Sequence, residues 1–558
     1  MTEFGRKKTN IYIIRWQLAV FLLIVAQAIS MAQDDCGLWD VYTSFPKRET
    51  RAVWVGTIGG IDWPRKKVNL KLSAAQQERD REAQKQELIN MLDLLKQANI
   101  NTILLQTRVR GSVIYPSDIE PWDDGITGYY NGDPGYDPLD FAIEECHKRG
   151  MELHTWLVTI PVGTSSKQKK LGSKSVTHTH PELCKTVKGE TFMLPGKEGT
   201  AEYVAELCKE IATKYDIDGI SLDYIRYPEK EYNFSDDELY RNSTVSQTMS
   251  KADWRRANIS RIVKAVHDAV KPLKPWVKLS SSPLGRYDDL PRYPARGWDC
   301  YNAVYQDPKE WLENNWQDEL FPMMYFQGNL FYPFVYNWKE ISYGHPVSAG
   351  LGIYFLDPKE GKKWTLNDVR AQIHAARDSE MGGICFYRSY YLTNNFKGIY
   401  NSVCKEFFPH PSLPQQMTWM NDSIMPDSPT SLKRNNGYIT WIEPDRSLPR
   451  NSDITYNVYA SFTSPVDITR GENLVAARVR DLYAVMPDPT LYYAVTAMNR
   501  FGTESEPIEE FSMLNYIQSD VSNNGIRLRK EVANSIKQHF AQPVDTKNSK
   551  SRKKNKKK

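Results

Sequence analysis

Between residues 51 and 408 the sequence alternates strand-like apolar segments with helix-like amphipathic ones, and this alternation limits the fold more than any other feature. Strand-like runs are predicted at 51–57, 102–107, 151–158, 219–223, 276–281, 320–325, 346–353 and 383–387. Helices are predicted between them, over 83–98, 202–215, 253–270, 308–315 and 366–379. In the first of these, Leu88, Met91, Leu92 and Leu95 recur on one helical face. Asp137-Pro138 opens a further helix and Arg149-Gly150 closes it. Several strands are continuous apolar runs, as expected where both faces of a sheet are covered. Eight such units predict an α/β fold, a (β/α)₈ TIM barrel with enlarged loops. The rival is an open doubly wound sheet. No Gly-x-Gly-x-x-Gly follows the first strand, which argues against its dinucleotide-binding form.

Composition changes near Pro409. Residues 409–425 are rich in Pro, Ser, Asp and Gln and read as a linker. Short alternating stretches follow within 426–512 (GYITWIEP, ITYNVYASF, LVAARV, LYYAVTAMN), the pattern of a small all-β, immunoglobulin-like sandwich. Pro429-Thr430, Leu432, Trp441, Tyr456-x-Val458-Tyr459 and Ala497-x-Asn499-x-x-Gly502 resemble a fibronectin type III domain, although the usual corner tyrosine falls at Leu491. The polar linker and the lack of an acid cluster predict a spacer or docking module.

The first 32 residues run from basic (Arg6, Lys7, Lys8, Arg15) through apolar to small, which reads as a secretory signal peptide. A secreted, periplasmic or cell-envelope location is therefore expected, with no transmembrane helix after signal removal. The formal net charge is +4. The leader contributes four bases against one acid and the segment from Ala541 eight bases against one acid, so the residues between them carry about −6. A nucleic-acid binder would carry its bases on a folded face, so nucleic acid is not an expected partner. The terminal segment, 513–558, ends in a like-charge block that predicts disorder and at most weak contact with anionic polymers. The seven cysteines form no Cys-x-x-Cys pair and the histidines show no metal spacing, so neither metal nor cofactor is expected.

In a (β/α)₈ enzyme chemistry sits where the strands end, and inward-facing side chains share one parity. The fourth strand, DGISLDYIRYP, ends at Asp223, followed by Tyr224 and Arg226. A carboxyl group among aromatic and cationic side chains suits glycoside cleavage as acid, base or nucleophile. Gln106 and Arg108, His154 and Trp156, Tyr325 and Gln327, and Arg388 occupy comparable places on other strands. Together they predict a polar, aromatic-walled cleft, because sugar rings stack on aromatic faces while their hydroxyls take hydrogen bonds. Glycoside hydrolysis ordinarily needs a second carboxylate. Asp62 in GGIDWP is the first candidate; Asp123, Glu229, Asp289 and Asp357 are alternatives.

The ordered set of motifs resembles the glycosyl hydrolase-like 10 family. It comprises RAVWV, Ile61–Pro64, Gln106-x-Arg108, Tyr115-x-Ser117, Pro121-Trp122 and Tyr136–Leu139. It continues through His147-x-Arg149-Gly150-x-Glu152-x-His154-x-Trp156, Asp218-Gly219 to Asp223, Tyr305–Pro308 and Pro322-x-x-Tyr325. The resemblance covers residues 48–408 and implies a barrel, an extracytoplasmic setting and glycosidase activity, with peptide-free cell-wall glycan a substrate of some members. Ser112 stands after Gly111 where the family often has Asp. Against the chitinase pattern DGxDxDxE, Asp218, Gly219 and Asp223 match, whereas Ser221 and Ile225 replace the other acids. The expected function is hydrolysis of a bacterial polysaccharide; the alternative is a non-catalytic glycan-binding protein of the cell envelope.

Overall fold

The structure is a computed structural model and describes residues 45–361, 363–420 and 424–509. The signal-peptide and basic-tail expectations lie outside these residues. The barrel strands are β1 (Thr50–Val55), β2 (Thr102–Arg108), β3 (Glu152–Val158), β4 (Gly219–Asp223), β5 (Lys278–Ser281), β6 (Glu319–Leu320), β7 (Ser348–Leu351) and β8 (Gly383–Phe386). They form one parallel sheet in sequence order, with β8 returning to β1 through Thr50↔Gly383 and Val53↔Phe386. Parallel bridges Leu320↔Val347 and Met323↔Gly350 join β6 to the β7 side and complete the ring. The predicted sixth strand is longer than the paired one because Pro322 has no N–H to give a ladder.

Helices α1 (Ala74–Gln97), α2 (Pro138–Lys148), α3 (Thr200–Lys214), α4 (Lys251–Val270), α5 (Pro308–Glu313), α6 (Tyr332–Glu340) and α7 (Leu366–Asp378) lie along the chain between the strands. Leu88, Leu92 and Leu95 of α1 are buried, as the sequence period requires. Asp137 caps α2 by accepting from the Leu139 and Asp140 N–H groups, and Pro138 fills the first turn, where no N–H partner is needed. Inside the ring, Ala52, Trp54, Leu104, Trp156, Phe321 and Cys385 pack as a cluster separate from the strand–helix core.

A three-stranded antiparallel sheet (Pro161–Thr164, Cys184–Val187, Glu190–Met193) rises from the loop after β3. No apolar period in the sequence announces these strands. Its hairpin turns at Lys188-Gly189, both with positive φ (50° and 82°). That geometry matches strand twist, but it is commonly signalled by Asn-Gly or Asp-Gly.

The C-terminal part forms two antiparallel sheets from β9 (Thr430–Asn435), β10 (Tyr438–Ile442), β11 (Ile454–Ser461), β12 (Leu474–Val479), β13 (Tyr483–Val485), β14 (Tyr492–Asn499) and β15 (Ile508–Glu509). Their orders are β9-β10-β13 and β12-β11-β14-β15. Ile439, Trp441, Tyr456, Val458, Tyr493 and Val495 are among the buried residues of its core.

This sandwich is fastened to the N-terminal end of the barrel. In the stretch read as a linker, Leu413 is buried; its N–H donates to Lys47 O, and Glu49 N–H donates to Leu413 O. Gly150 lies so close to β12 that a Cβ there would meet Ala477 O at 2.4 Å. Arg478 reaches Asp218 at 2.9 Å and Glu152 at 3.5 Å, while Arg500 reaches Asp216 at 2.8 Å. Burial alone would raise the Asp218 carboxyl, but His147, Arg478 and Arg500 outweigh it and hold the group well below its ordinary value. Burial is likewise outweighed at Glu152 by Lys278, His154 and Arg478, bringing it to about 2.

Removing one partner of a buried pair leaves an uncompensated charge and typically costs about 3 kcal/mol or more. Arg478→Ala is therefore expected to lower unfolding free energy at neutral pH by about that amount. Asp218 and Glu152 are depressed, so their stabilisation is present above their ordinary values of 3.8 and 4.5 and is lost as pH falls. The Arg478→Ala penalty should therefore shrink on acidification. Denaturant melts at neutral and acidic pH check this, and a small or pH-independent penalty would contradict the network's role.

Candidate active site

Asp223 is the last residue of β4 and is only 5% exposed. The Trp156 Nε1–H donates to its Oδ2 at 2.9 Å, and the Tyr224 backbone N–H donates to its Oδ1 at 2.7 Å. Burial raises this carboxyl above its ordinary value; Arg226 opposes the rise most, followed by the Trp156 and Tyr224 hydrogen bonds. Tyr224 takes a left-handed backbone conformation (φ 50°). The Arg226 guanidinium lies over the Tyr224 ring at 4.5 Å, donates to Glu229 Oε1 at 2.9 Å and stands 6.0 Å from the Trp298 ring centre.

The other strand ends supply an aromatic wall. Tyr325 and Tyr387 have ring centres 5.5 Å apart, Tyr354 lies 5.7 Å from each, and Trp54 lies 5.8 Å from Tyr387. Burial pushes both the Tyr325 and Tyr387 hydroxyls up, and the Asp223 charge acts on each in the same direction. The site thus brings together Asp223, Trp156, Tyr224, Arg226 and Tyr325 from the residues read off the sequence.

Several expected substrate-binding residues face structural partners instead. Arg108 forms a bidentate pair with Glu120 (2.8 and 2.7 Å) and donates to the Val158 and Thr159 carbonyls. Those bonds use its guanidinium inside the fold and correct the expectation that it lines the cleft. Gln106 accepts from the Thr57 and Ile58 N–H groups at 3.0 and 2.9 Å and so shapes the loop after β1. His154 is fully buried and contacts Glu152 at 3.1 Å, low in the barrel. Gln327 is exposed on the loop after β6.

Asp62 is 1% exposed. Its Oδ2 accepts from Gly56 N–H at 2.7 Å, while its Oδ1 accepts from Tyr390 N–H and Arg388. Burial pushes the group up and Arg388 is the strongest influence against it. Both oxygens are occupied, so the arrangement is that of a brace fixing Arg388 and the loop after β8. Among the alternatives, Asp123 accepts from Ser112, Gly125 and Lys167; Asp289 holds Ala295 N–H; and Asp357 caps a short helix. Ser112, in the departing motif position, thus serves as a donor to Asp123.

Glu229 is different. With Glu190, Arg110, Tyr224, Arg226 and Trp298 it lines a cavity of about 270 Å³ beside Asp223. Arg110, Glu190, Trp298, Tyr354 and Tyr387 were not singled out in the sequence. Tyr387 is the last residue of the predicted eighth strand; the others lie on loops, on a short 3-10 turn or on the unpredicted hairpin. Among the described residues no cluster of His, Cys, Asp and Glu is arranged to hold a metal ion, and no helix is long and apolar enough to cross a membrane.

A buried carboxyl with a raised pKa, an adjacent arginine and a wall of tyrosines can deliver a proton to a bound sugar or stabilise developing positive charge. Because the Asp223 value is raised, its stability contribution is fully present below its ordinary 3.8 and is lost as pH rises through the folded value. Asp223→Asn removes that loss. The variant's melting temperature, relative to wild type, should therefore climb as pH rises from acidic to neutral; a falling difference would contradict the buried-acid assignment.

The Glycosyl hydrolase-like 10 profile matches residues 49–336. The chain is 27% identical to glycosyl hydrolase YngK of Bacillus subtilis over 483 residues, covering 82% of this chain and 92% of that protein. It is 32% identical to glycosyl hydrolase DigH of Escherichia coli K12 over 292 residues, covering 50% of this chain and 65% of that protein, just under two thirds of its length. The PgaB (BpsB) glycoside hydrolase domain of Bordetella bronchiseptica superimposes with a TM-score of 0.42 at 11% identity, covering 66% of this chain and 100% of that one. An overlap that loose carries no argument about activity. The matched profile spans more than half of the chain and every barrel strand from β1 to β6, and the chain belongs to the glycosyl hydrolase-like 10 family.

Proposed function

We propose that this protein is a glycoside hydrolase acting on a bacterial polysaccharide, with peptide-free peptidoglycan strands the leading substrate, and that Asp223 is its catalytic carboxyl. The observation that carries the reading is the burial of Asp223 at the end of β4, held by Trp156 and by Tyr224, which itself lines a cavity. Its raised pKa suits a group that keeps its proton until the glycosidic oxygen takes it. Tyr325, Tyr354 and Tyr387 offer ring faces to the sugar. Glu229 is the second carboxylate favoured here, since it lines the cavity together with Tyr224 and is bonded to Arg226, whose charge also acts on Asp223. Asp62 acts as a positioning residue through Arg388.

The names of the Bacillus and Escherichia relatives support hydrolysis. A non-catalytic glycan-binding role is the second reading, motivated by the engagement of Glu229 with Arg226. The C-terminal sandwich is proposed to be a fibronectin type III domain. Its three- and four-stranded sheets and the Tyr493 hydroxyl, which donates to Asp488 O at 2.7 Å, support this. That tyrosine supplies the corner contact that the sequence register assigned to Leu491. The proposed domains keep their sequence boundaries: signal peptide 1–32, barrel 48–408, connecting segment 409–425, sandwich 426–512 and terminal segment 513–558. Delivery to the cell envelope or exterior follows from the leader, and weak contact with anionic polymers from the basic tail.

Purified protein should release new reducing ends from peptide-free glycan strands. Asp223→Asn should cut that turnover by at least about a hundredfold while retaining glycan binding. Glu229→Gln should cause a comparable loss, and Glu190→Gln a smaller one. Wild-type turnover in a folded Asp223→Asn protein would remove the site assignment. Binding without new reducing ends in the wild type would favour the second reading.

A further inference from the structure

The cavity beside Asp223 has a neighbour. A second cavity of about 560 Å³ is lined by Trp298, Asp299, Asn302, Lys230 and Tyr305 among others. The two share Tyr227, Pro228, Glu229, Glu231 and Trp298, so they lie side by side against the same residues. The first cavity, about 270 Å³, is smaller than the ~300–1,000 Å³ of ordinary small-molecule sites. The neighbour, about 560 Å³, falls within that range.

Trp298 lines both cavities and is 38% exposed. Its loop is held firmly: the Arg286 Nε and Nη2 donate to Trp298 O at 3.1 and 2.9 Å. Arg286 is itself 3% exposed and lies over the Phe326 ring at 4.1 Å. Further along the loop, Asn302 donates through its backbone N–H to Asp299 at 2.6 Å and through Nδ2 to Asp288 at 2.7 Å. An exposed indole on a fixed loop is pre-organised, so a ligand that covers it pays little ordering entropy. An apolar ring face surrounded by Lys230, Glu231 and Asn302 matches a pyranose, whose apolar face stacks while its rim hydroxyls take hydrogen bonds.

We propose that this second cavity is an accessory sugar subsite, with Trp298 its platform, and that it makes the protein select long glycan chains over short ones. The proposal rests on the glycan reading of the Asp223 cleft and adds to it where the chain continues. Trp298 acts on specificity through the length of chain bound, away from the reacting carboxyl.

Calorimetric binding to Asp223→Asn protein, which holds glycan without turning it over, tests this. The probes are peptide-free peptidoglycan disaccharide, tetrasaccharide and hexasaccharide. Affinity should rise about tenfold from the disaccharide to a longer chain, the gain expected of one stacked sugar. Adding Trp298→Ala should reduce that gain to less than about threefold, whereas Trp298→Phe, which keeps an aromatic face, should retain most of it. A length gain that survives Trp298→Ala in folded protein overturns the subsite and leaves the glycan reading standing. Affinity independent of length does the same. Absence of binding at every length overturns the glycan reading and the subsite together.

Discussion

Closure of the parallel ladder is the constraint on which the rest of the molecule depends. Eight strands meet in a ring only if neighbouring backbones approach closely where the short strands β6, β7 and β8 complete it. Gly350 permits one approach, since a Cβ there would meet Pro322 O at 2.5 Å. Gly383 permits another, where a Cβ would meet Thr50 O at 2.0 Å. Once the ring closes, every strand points the same way. The loops after the strands gather at one end, and the residues that begin the strands gather at the other.

Buried charge is handled in opposite ways at the Asp218–Glu152 cluster and at Asp223. At the strand starts, Asp218 and Glu152 are surrounded by Arg478, Arg500, His147 and Lys278, and their ionised forms are favoured. The sandwich supplies two of those arginines, so it completes the barrel's electrostatics as well as extending the chain. At the strand ends, Asp223 is equally enclosed but meets weaker compensation, and its ionised form is disfavoured. Asp218 and Glu152 therefore add stability as carboxylates, whereas Asp223 is held in a state suited to proton transfer. The expected spacer role for the sandwich needs amending accordingly: it lies away from the candidate site, yet it is integral to the barrel's base.

Much of this was legible in the sequence where periodicity carried the signal. The fourth strand was predicted at 219–223, and its parity pointed to Ser221 and Asp223. The same rule found Trp156 and Tyr325. It could not find partners, because these come from distant parts of the chain: Arg388 meets Asp62 across 326 residues, and Arg478 meets Asp218 across 260. Parity also misread Arg108, whose place at a strand end suggested the cleft while Glu120, twelve residues on, draws the guanidinium inward. Trp298 and Glu190 lie on a loop and a hairpin without a repeating apolar pattern, so nothing local announced them. The stretch after Pro409 has the composition of a free linker, and only tertiary contact shows Leu413 bonded to the backbone of Lys47 and Glu49, just ahead of β1.

A carboxyl that protonates the glycosidic oxygen has to face the bond being cleaved, and Asp223 is the proposed carboxyl. The most direct measurement is a crystal structure of Asp223→Asn protein with a peptide-free glycan oligosaccharide trapped in the cleft. A glycosidic oxygen is expected within about 3 Å of the residue 223 side chain, with adjoining sugar rings against the tyrosines of the β6–β8 wall. An oligosaccharide bound in the cleft with residue 223 beyond reach of every glycosidic oxygen would contradict it.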